Sequence, residues 1–210
     1  LKALHYEKFS GSILLTLPLY GFSSMKNKKD FIRWYQGLFS HQNIVDTTMN
    51  LSHLSVTAKI GAIYNYVSQH IDKMKNILYM PTTPQDTLYY KKGTPEDKVY
   101  LAKALLKQHN IQSFIALARN KYMPVIADYY SPDYYTDTLL YIPLDNKKVL
   151  WLDFSNQFKN ISSVAHSISG QSALVTLHNS YGAIKNITHN RGIIENHFNH
   201  SVTDDKTEIA

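Results

Sequence analysis

The sequence contains no cysteine among its 210 residues. The chain can therefore form no disulfide bond and no thiolate zinc site, and it cannot use a thiol as a nucleophile. The compartment stays open, because a chain without disulfides is stable in the cytosol and in the periplasm alike. Hydrophobic residues make up 44% of the chain and charged residues 18%, which is typical of a folded globular domain with a core of its own.

Long apolar runs are missing as well. The longest one, residues 13–20, is interrupted by Thr16 and Pro18, whereas a membrane-spanning helix needs about 20 apolar residues. We therefore expect no membrane span. The chain begins at Leu1 without a signal-peptide pattern. A start at leucine indicates a fragment or a processed product, so the missing targeting signal says little about location.

Clustered basic residues are scarce, although the net charge is +6 and the isoelectric point is near 9.2. The densest basic run, residues 26–29, is followed at once by Asp30, and the few arginines stand far apart. Phosphate recognition favours clustered arginine and lysine, so we expect no nucleic-acid partner. A Gly-x-Ser-x-Gly elbow and a glycine-rich phosphate loop are absent too, which removes two common kinds of enzyme site.

Apolar residues at helical spacing predict the first half of the chain to be helical, after an extended segment over residues 1–22. Pro81 and Pro84 bracket an extended linker, and residues 41–55 are polar and loop-like. The predicted helices cover residues 30–39, 57–71 and 94–109.

The pattern then changes to short runs of aliphatic and aromatic residues separated by turn-forming residues. Strands are expected over residues 111–117, 139–142, 149–153 and 174–177, with one more in the tail after residue 195. Helices first and strands afterwards predict an α+β fold with a mainly antiparallel sheet.

The start of the third helix is the most informative segment. Thr94 is a good N-cap, and Pro95 fits the first helical position because its missing N–H is not needed there. Glu96 and Asp97 place negative charge at the positive end of the helix dipole. A well-capped buried helix accounts for all of these residues without any catalytic role.

The same segment resembles a motif of bacterial transglutaminase-like proteins, a family with a cysteine-protease-like fold. The family's Gly-x-Cys-x-Asp-Lys corresponds to residues 93–98, Gly-Thr-Pro-Glu-Asp-Lys, and its Ala-Leu-Leu to residues 104–106. Trp151-Leu152-Asp153 matches the family's Trp-Leu-Asp triplet. The family's histidine opens a strand, and Asp137 stands at its position.

The resemblance implies a transglutaminase- or papain-like core in which N-terminal helices pack on a mainly antiparallel sheet. It places the tail of a preceding β-rich domain and a helical linker at residues 1–55, the core at 56–187 and the start of a following β segment at 188–210. It also implies a location in the bacterial cell envelope or periplasm.

In active members of the family, the cysteine sits at a helix N-terminus, where the dipole favours the thiolate. A histidine takes up the proton, and an aspartate orients that histidine. Here Pro95 occupies the nucleophile position and Asp137 the histidine position, and only Asp153 remains. The resemblance therefore predicts that the chain is not an enzyme, has no intact triad and needs no cofactor.

Residues 128–137 are rich in tyrosine and aspartate. The segment is either a tyrosine-rich turn between strands or a cleft wall with stacking rings and acidic acceptors. The candidate ligand-binding residues are Tyr130, Asp133, Tyr134, Tyr135 and Trp151.

Three histidines near the C-terminus, at positions 189, 197 and 200, are the conceivable metal ligands. No carboxylate spacing supports a site there, so we expect no bound metal.

Together these features predict a non-catalytic transglutaminase-like domain of a larger bacterial protein, which binds a peptide or protein segment or acts as a scaffold. One alternative is a hydrolase with carboxylate chemistry, in which Asp137 and Asp153 activate a water molecule. Another is a spacer packed between flanking β domains, which requires a filled cleft.

Overall fold

The computed structural model describes residues 24–38, 45, 47, 49–74, 82–123, 130–145, 148–155, 160–161, 163–176 and 182–188. The extended segment expected over residues 1–22, the tail strand and His189, His197 and His200 lie outside these ranges. The expected domain limits stay a prediction.

Helices occupy the first half of the described chain. α1 spans Lys28–Gly37, α2 Val56–His70, α3 Pro84–Tyr90 and α4 Pro95–Gln108. Each helix begins after a residue whose side chain accepts from a backbone amide three positions further on, which satisfies a donor that the first turn leaves free. These N-caps are Asn27, Ser55, Thr83 and Thr94.

Three of the four helices lie where the apolar spacing predicts them, shifted by one or two residues at their ends. α3 was not predicted, because Pro81 and Pro84 suggested an extended linker. Pro84 is instead the first residue of a helix capped by Thr83. A proline at this position needs no hydrogen-bond donor, so it starts a helix as readily as it breaks one. No helix in the described ranges is long and apolar enough to cross a bilayer.

The strands form two sheets. β1, Asp72–Lys73, pairs in parallel with β2, Lys92–Gly93. The main sheet has five strands: β3 Phe114–Ala118, β4 Asp137–Pro143, β5 Val149–Asp153, β6 Ser172–Thr176 and β7 Gly182–Asn186. Its order is β5-β4-β3-β6-β7, and every neighbouring pair is antiparallel. The predicted α+β class with an antiparallel sheet is confirmed.

Both faces of the main sheet are buried, so alternate residues of a strand belong to two cores. On one face, Ile115, Leu117 and Leu152 pack with the helices. On the other face, Ala116 and Trp151 pack with residues of the segment after β5, including Val164 and Ile168. This arrangement explains why the strands read as nearly continuous apolar runs.

α4 is the central helix of the first core. It packs against α2, α3 and β4, and its inner side chains, such as Leu101 and Leu105, are completely buried. Lys98 is also buried, with 1% of its surface exposed. Burial lowers the pKa of its ammonium, and the nearby Asp72 carboxylate opposes that change. The position of α4 brings its N-terminus towards the start of β4 and the end of β5.

Candidate functional site

A reciprocal cap holds the first turn of α4. Thr94 Oγ1 accepts from the Asp97 amide at 3.1 Å, and Asp97 Oδ2 accepts from the Thr94 amide and hydroxyl at 2.8 and 2.9 Å. Asp97 Oδ1 accepts from the Thr82 amide at 2.7 Å, which joins the start of α4 to the segment before α3. The helix start is therefore fixed in position by hydrogen bonds in two directions.

Gly93 allows this turn to lie close to α3. A Cβ atom at Gly93 would stand 3.0 Å from both Asp97 Cβ and Thr87 Cγ2, which is tighter than nearly all real contacts of this kind. The motif residues Gly93 and Asp97 thus have a local structural purpose, which is to place the first turn of α4.

A cleft of about 470 Å³ opens at this helix start. We refer to it as the α4 cleft. Its walls come from α1, the end of β1 and the residue after it, the cap and first turn of α4, the segment leading into β4 with the first residues of that strand, and the second residue after β5. They are Trp34, Tyr35, Leu38, Lys73, Met74, Thr94, Pro95, Glu96, Pro132, Tyr135, Thr136, Asp137, Thr138 and Ser155. The cleft is open, whereas a spacer domain requires a filled one.

Pro95 and Asp137 both line the α4 cleft. Pro95 is the first residue of α4, and Asp137 is the first residue of β4. Asp137 Oδ2 accepts from the Thr136 hydroxyl at 2.7 Å, and Thr136 Oγ1 accepts from the Asn120 amide at 3.0 Å. The structure therefore brings two of the three predicted triad positions to one cleft, although Pro95 and Asp137 are 42 residues apart in sequence. Their roles stay predictions.

Asp153 lies behind the cleft wall. It ends β5, opposite Leu139 of β4, and is 2% exposed. Its Oδ1 accepts from the Ser155 amide at 2.8 Å, and its Oδ2 from the Ala165 amide at 2.7 Å. A carboxylate held by two amides and shielded from solvent fixes the chain after β5 and is poorly placed to activate a water molecule. Ser155, two residues further on, reaches the cleft.

Tyr64 of α2 supports the chain at the end of β5. Its hydroxyl donates to the backbone oxygen of Asp153 at 3.2 Å, and its ring packs on Phe154 with centroids 5.0 Å apart. Burial, together with the negative charge of Asp153, raises the pKa of Tyr64 to about 12. Tyr64 therefore stays neutral and acts as a hydrogen-bond donor at any physiological pH.

Glu96 is a cleft carboxyl whose placement the sequence did not indicate. The Tyr35 hydroxyl donates to Glu96 Oε1 at 2.5 Å. Burial raises the pKa of Glu96, the Tyr35 hydrogen bond partly opposes this change, and the charge of Asp97 adds to it. A partly buried carboxyl with a raised pKa can exchange a proton nearer to neutral pH than an ordinary glutamate.

Tyr35 lies within the helix predicted over residues 30–39 without a role of its own, and Glu96 was predicted only as a first-turn acid. Their hydrogen bond spans 61 residues of sequence, so no local pattern could reveal it. The one available signal was that Glu96 directly follows the nucleophile position of the motif. The cation of the cleft, Lys73, donates from its ammonium to the backbone oxygen of Ser155 at 2.8 Å.

The tyrosine-rich segment contributes one tyrosine to the cleft, beside Pro132, Thr136 and Asp137. Tyr135 lines it and stacks on Phe31, with ring centroids 5.3 Å apart. Tyr134 packs edge-on against Tyr135 and lies 5.9 Å from the guanidinium carbon of Arg119, while Tyr130 packs on Phe31 at 6.4 Å. The segment is thus both a packed connection between strands and a partial cleft wall.

Trp151 lies elsewhere. It is 1% exposed in the second core and packs edge-on against Tyr141, with ring centroids 5.1 Å apart. Trp151 does not line the α4 cleft as the prediction of a ligand-binding role requires, because its side chain points to the sheet face away from α4. The side chain of Asp133 is outside the described set. No group of three histidine, aspartate or glutamate side chains that could hold a metal ion occurs in the described ranges.

No family model matches the sequence, and no curated protein matches it either. Solved structures do. A candidate protease from Parabacteroides distasonis superimposes with a TM-score of 0.55 at 11% identity, over 82% of this chain and 36% of that one. The chain thus spans about a third of the length of this neighbour. A candidate cysteine protease from Cytophaga hutchinsonii matches with a TM-score of 0.37 at 16% identity, over 65% of this chain and 40% of that one. LapG from Legionella pneumophila matches with a TM-score of 0.39 at 11% identity, over 64% and 74%.

The first of these likenesses shows that this chain shares its fold with a solved protein, and the predicted α+β class is confirmed. It also corrects one prediction. Pro95 at the nucleophile position led to the prediction that the chain is not an enzyme, but the solved structure that shares its fold, from Parabacteroides distasonis, is described as a candidate protease. The missing cysteine excludes thiol chemistry alone, and it leaves the carboxyl groups of the cleft available for other chemistry.

Proposed function

We propose that the α4 cleft binds an extended segment of a polypeptide. The observation that carries this proposal is the composition of an open cleft of about 470 Å³ at the N-terminus of a buried helix. The volume lies within the usual range for ligand sites, about 300–1,000 Å³. Its walls combine aromatic and apolar side chains, such as Trp34, Leu38 and Met74, with a few polar groups.

The charges of the cleft favour a peptide over a phosphate-bearing ligand. Two carboxyl groups, Glu96 and Asp137, line it together with one ammonium group, Lys73. The ammonium already donates to a backbone oxygen. Phosphates would be repelled by the carboxyl groups, whereas a peptide offers amide donors to the carboxylates and apolar side chains to the rings.

A pair of methionines allows a matched test. Met74 lines the cleft and is 43% exposed, and Met123 lies outside it and is 42% exposed. An array of random ten-residue peptides would identify a binder, and fluorescence anisotropy would measure its affinity. We expect Met74→Arg to weaken binding by about tenfold, since a charged side chain would stand in an apolar wall, and Met123→Arg to leave it unchanged. Equal losses in the two variants, or no binder on the array, would contradict the proposal.

A second candidate function is hydrolysis of the bound peptide by carboxyl groups. Glu96, whose pKa burial raises, and Asp137 line the same cleft. In such a reaction one carboxylate takes a proton from water, the water oxygen attacks the peptide carbonyl carbon, and a protonated carboxyl gives its proton to the leaving nitrogen. Glu96 takes the place that the sequence-based alternative gave to Asp153, because Asp153 is buried.

Fluorescence-quenched peptides from the same array would test this candidate. We expect turnover that Glu96→Gln and Asp137→Asn each reduce by about a hundredfold or more, the usual contribution of a general acid or base. Turnover that survives both substitutions would assign the chemistry to other groups. Absence of turnover, with peptide binding retained, would refute hydrolysis and leave the binding proposal standing.

We also propose that this chain is part of a larger protein located in the bacterial cell envelope or periplasm. The resemblance of residues 93–98 and 151–153 to bacterial transglutaminase-like proteins supports this location. Fractionation of the source cells, followed by detection with an antibody against the purified chain, would check it. Recovery with the cytoplasmic fraction alone would contradict it.

A further inference from the structure

A second cavity, of about 420 Å³, lies on the other side of Tyr35 from the α4 cleft. We call it the lysine pocket. It is bounded by Tyr35 and Gln36 of α1, Lys103 and Lys107 of α4, the chain entering β3, and Thr176 at the end of β6. Neither the resemblance nor the neighbouring structures assign anything to it.

Two lysines on one face of α4 give the pocket its charge. Lys103 and Lys107 are four residues apart, so their side chains emerge one above the other. Lys103 is partly buried, and burial, with a further contribution from the charge of Lys107, lowers the pKa of its ammonium. Among the described residues, neither ammonium forms an ion pair with a carboxylate. Two neighbouring cations without a counter-ion in a partly enclosed space would be stabilised by a bound anion.

The rest of the pocket indicates which kind of anion fits. Ile111 and Ile115, which belong to the core on the helix side of the sheet, form an apolar part of the wall, with 8% and 4% of their surfaces exposed. Gln112 and Ser113 add neutral hydrogen-bonding groups nearby. No arginine of the described part of the chain lines the pocket, although arginine is the usual partner of phosphate where planar, bidentate recognition matters. A ligand with one negative end and an apolar body matches this wall better than an inorganic anion does.

We propose that the lysine pocket binds a small carboxylic acid, with its carboxylate at Lys103 and Lys107 and its apolar body against Ile111. The site is separate from the proposed peptide site, apart from the shared wall residue Tyr35. Hydrogen bonds between ionised groups are about twice as strong as neutral ones, so loss of one lysine should weaken binding by about tenfold or more.

Benzoate is a suitable probe, and benzamide is its neutral counterpart of the same shape. Chemical shifts of the backbone amides in the ¹⁵N-labelled chain would be followed during titration with each compound. We expect benzoate to shift amides around residues 111–115 and to bind about tenfold more tightly than benzamide. Lys103→Met and Lys107→Met should each weaken benzoate binding by about tenfold, and the exposed Lys148→Met should not change it.

Both lysine variants keep the length of the side chain, and Lys107 is exposed, so at least this variant should fold normally; circular dichroism would verify it. Equal affinities for benzoate and benzamide would overturn the proposal, as would tighter binding of inorganic phosphate than of benzoate. An equal loss in Lys148→Met would do the same. The Met74→Arg variant should bind benzoate like the unchanged protein, so failure of the peptide proposal and failure of this one are distinguishable.

Discussion

Replacement of Asp97 by alanine should destabilise the protein far more than the equivalent change at an exposed cap. Asp97 is 3% exposed and accepts from the Thr94 amide, the Thr94 hydroxyl and the Thr82 amide. Asp86 holds the same place in α3, three residues after the N-cap Thr83, and accepts from the Thr83 hydroxyl at 2.6 Å. Asp86 is exposed, and among the described residues no backbone amide from another segment donates to it as the Thr82 amide does to Asp97.

The expected magnitudes follow from these contacts. Loss of a helix cap costs about 1 kcal/mol, and loss of a hydrogen bond to a charged acceptor costs about 1.5–3 kcal/mol. Asp97→Ala removes both kinds of interaction in a buried place, so we expect the free energy of unfolding to fall by about 3 kcal/mol. Asp86→Ala should lower it by about 1 kcal/mol or less, because water can replace an exposed acceptor.

Urea unfolding followed by circular dichroism at pH 7 would measure both variants. At about 2–4 °C per kcal/mol for a chain of this size, Asp97→Ala should also lower the Tm by about 6–12 °C. An unchanged slope of free energy against urea would show that the folded and unfolded states stay comparable. A loss at Asp97 no larger than that at Asp86 would refute the view that Asp97 joins the starts of α3 and α4.

Two further predictions concern the same helix start. Gly93→Ala should destabilise the protein by about 1–3 kcal/mol, because a Cβ would press on Asp97 and Thr87. Gly61→Ala in α2 should instead stabilise it by up to about 1 kcal/mol, because nothing lies within 4 Å of the added Cβ. Urea unfolding that ranks the two variants in the reverse order would contradict the packing argument. The folded state raises the pKa of Glu96 above 4.5, so the stability that its proton contributes is present at low pH and is lost as the pH rises through the folded-state pKa. The Glu96→Gln variant should therefore gain stability relative to the unchanged protein as the pH rises from about 4 towards neutral. Urea unfolding at a series of pH values would measure this gain, and a constant difference between the two proteins over that range would contradict it.

The sequence predicted most of the fold because its elements carry strong local patterns. The predicted strand over residues 149–153 coincides with β5, and the Thr94–Pro95 signature places the start of α4 correctly. α3 was missed although it begins with the same Thr-Pro pair, because seven residues give too little apolar periodicity to separate a helix from a linker. β7 was missed because Gly182–Asn186 has little apolar alternation. Its strand conformation depends instead on its pairing with β6.

The site was less accessible from the sequence. The resemblance led to Pro95 and Asp137, which the structure places on one cleft. It also led to the prediction that the chain is not an enzyme, which the likeness to a candidate protease contradicts. Trp151 was taken for a ligand residue because an aromatic residue in a motif looks the same whether it faces a cleft or a core. Only the pairing register of β4 and β5 shows which face it occupies.

Tyr35 forms part of the wall of both cavities, and its hydroxyl donates to Glu96 on the cleft side. A molecule that displaces this ring in one cavity changes the shape of the other, so the two sites share a free-energy term. Such coupling is reciprocal: whatever factor a benzoate ion imposes on peptide affinity, the peptide must impose on benzoate affinity. The ring of Tyr35 would thereby couple the two binding equilibria in one thermodynamic cycle.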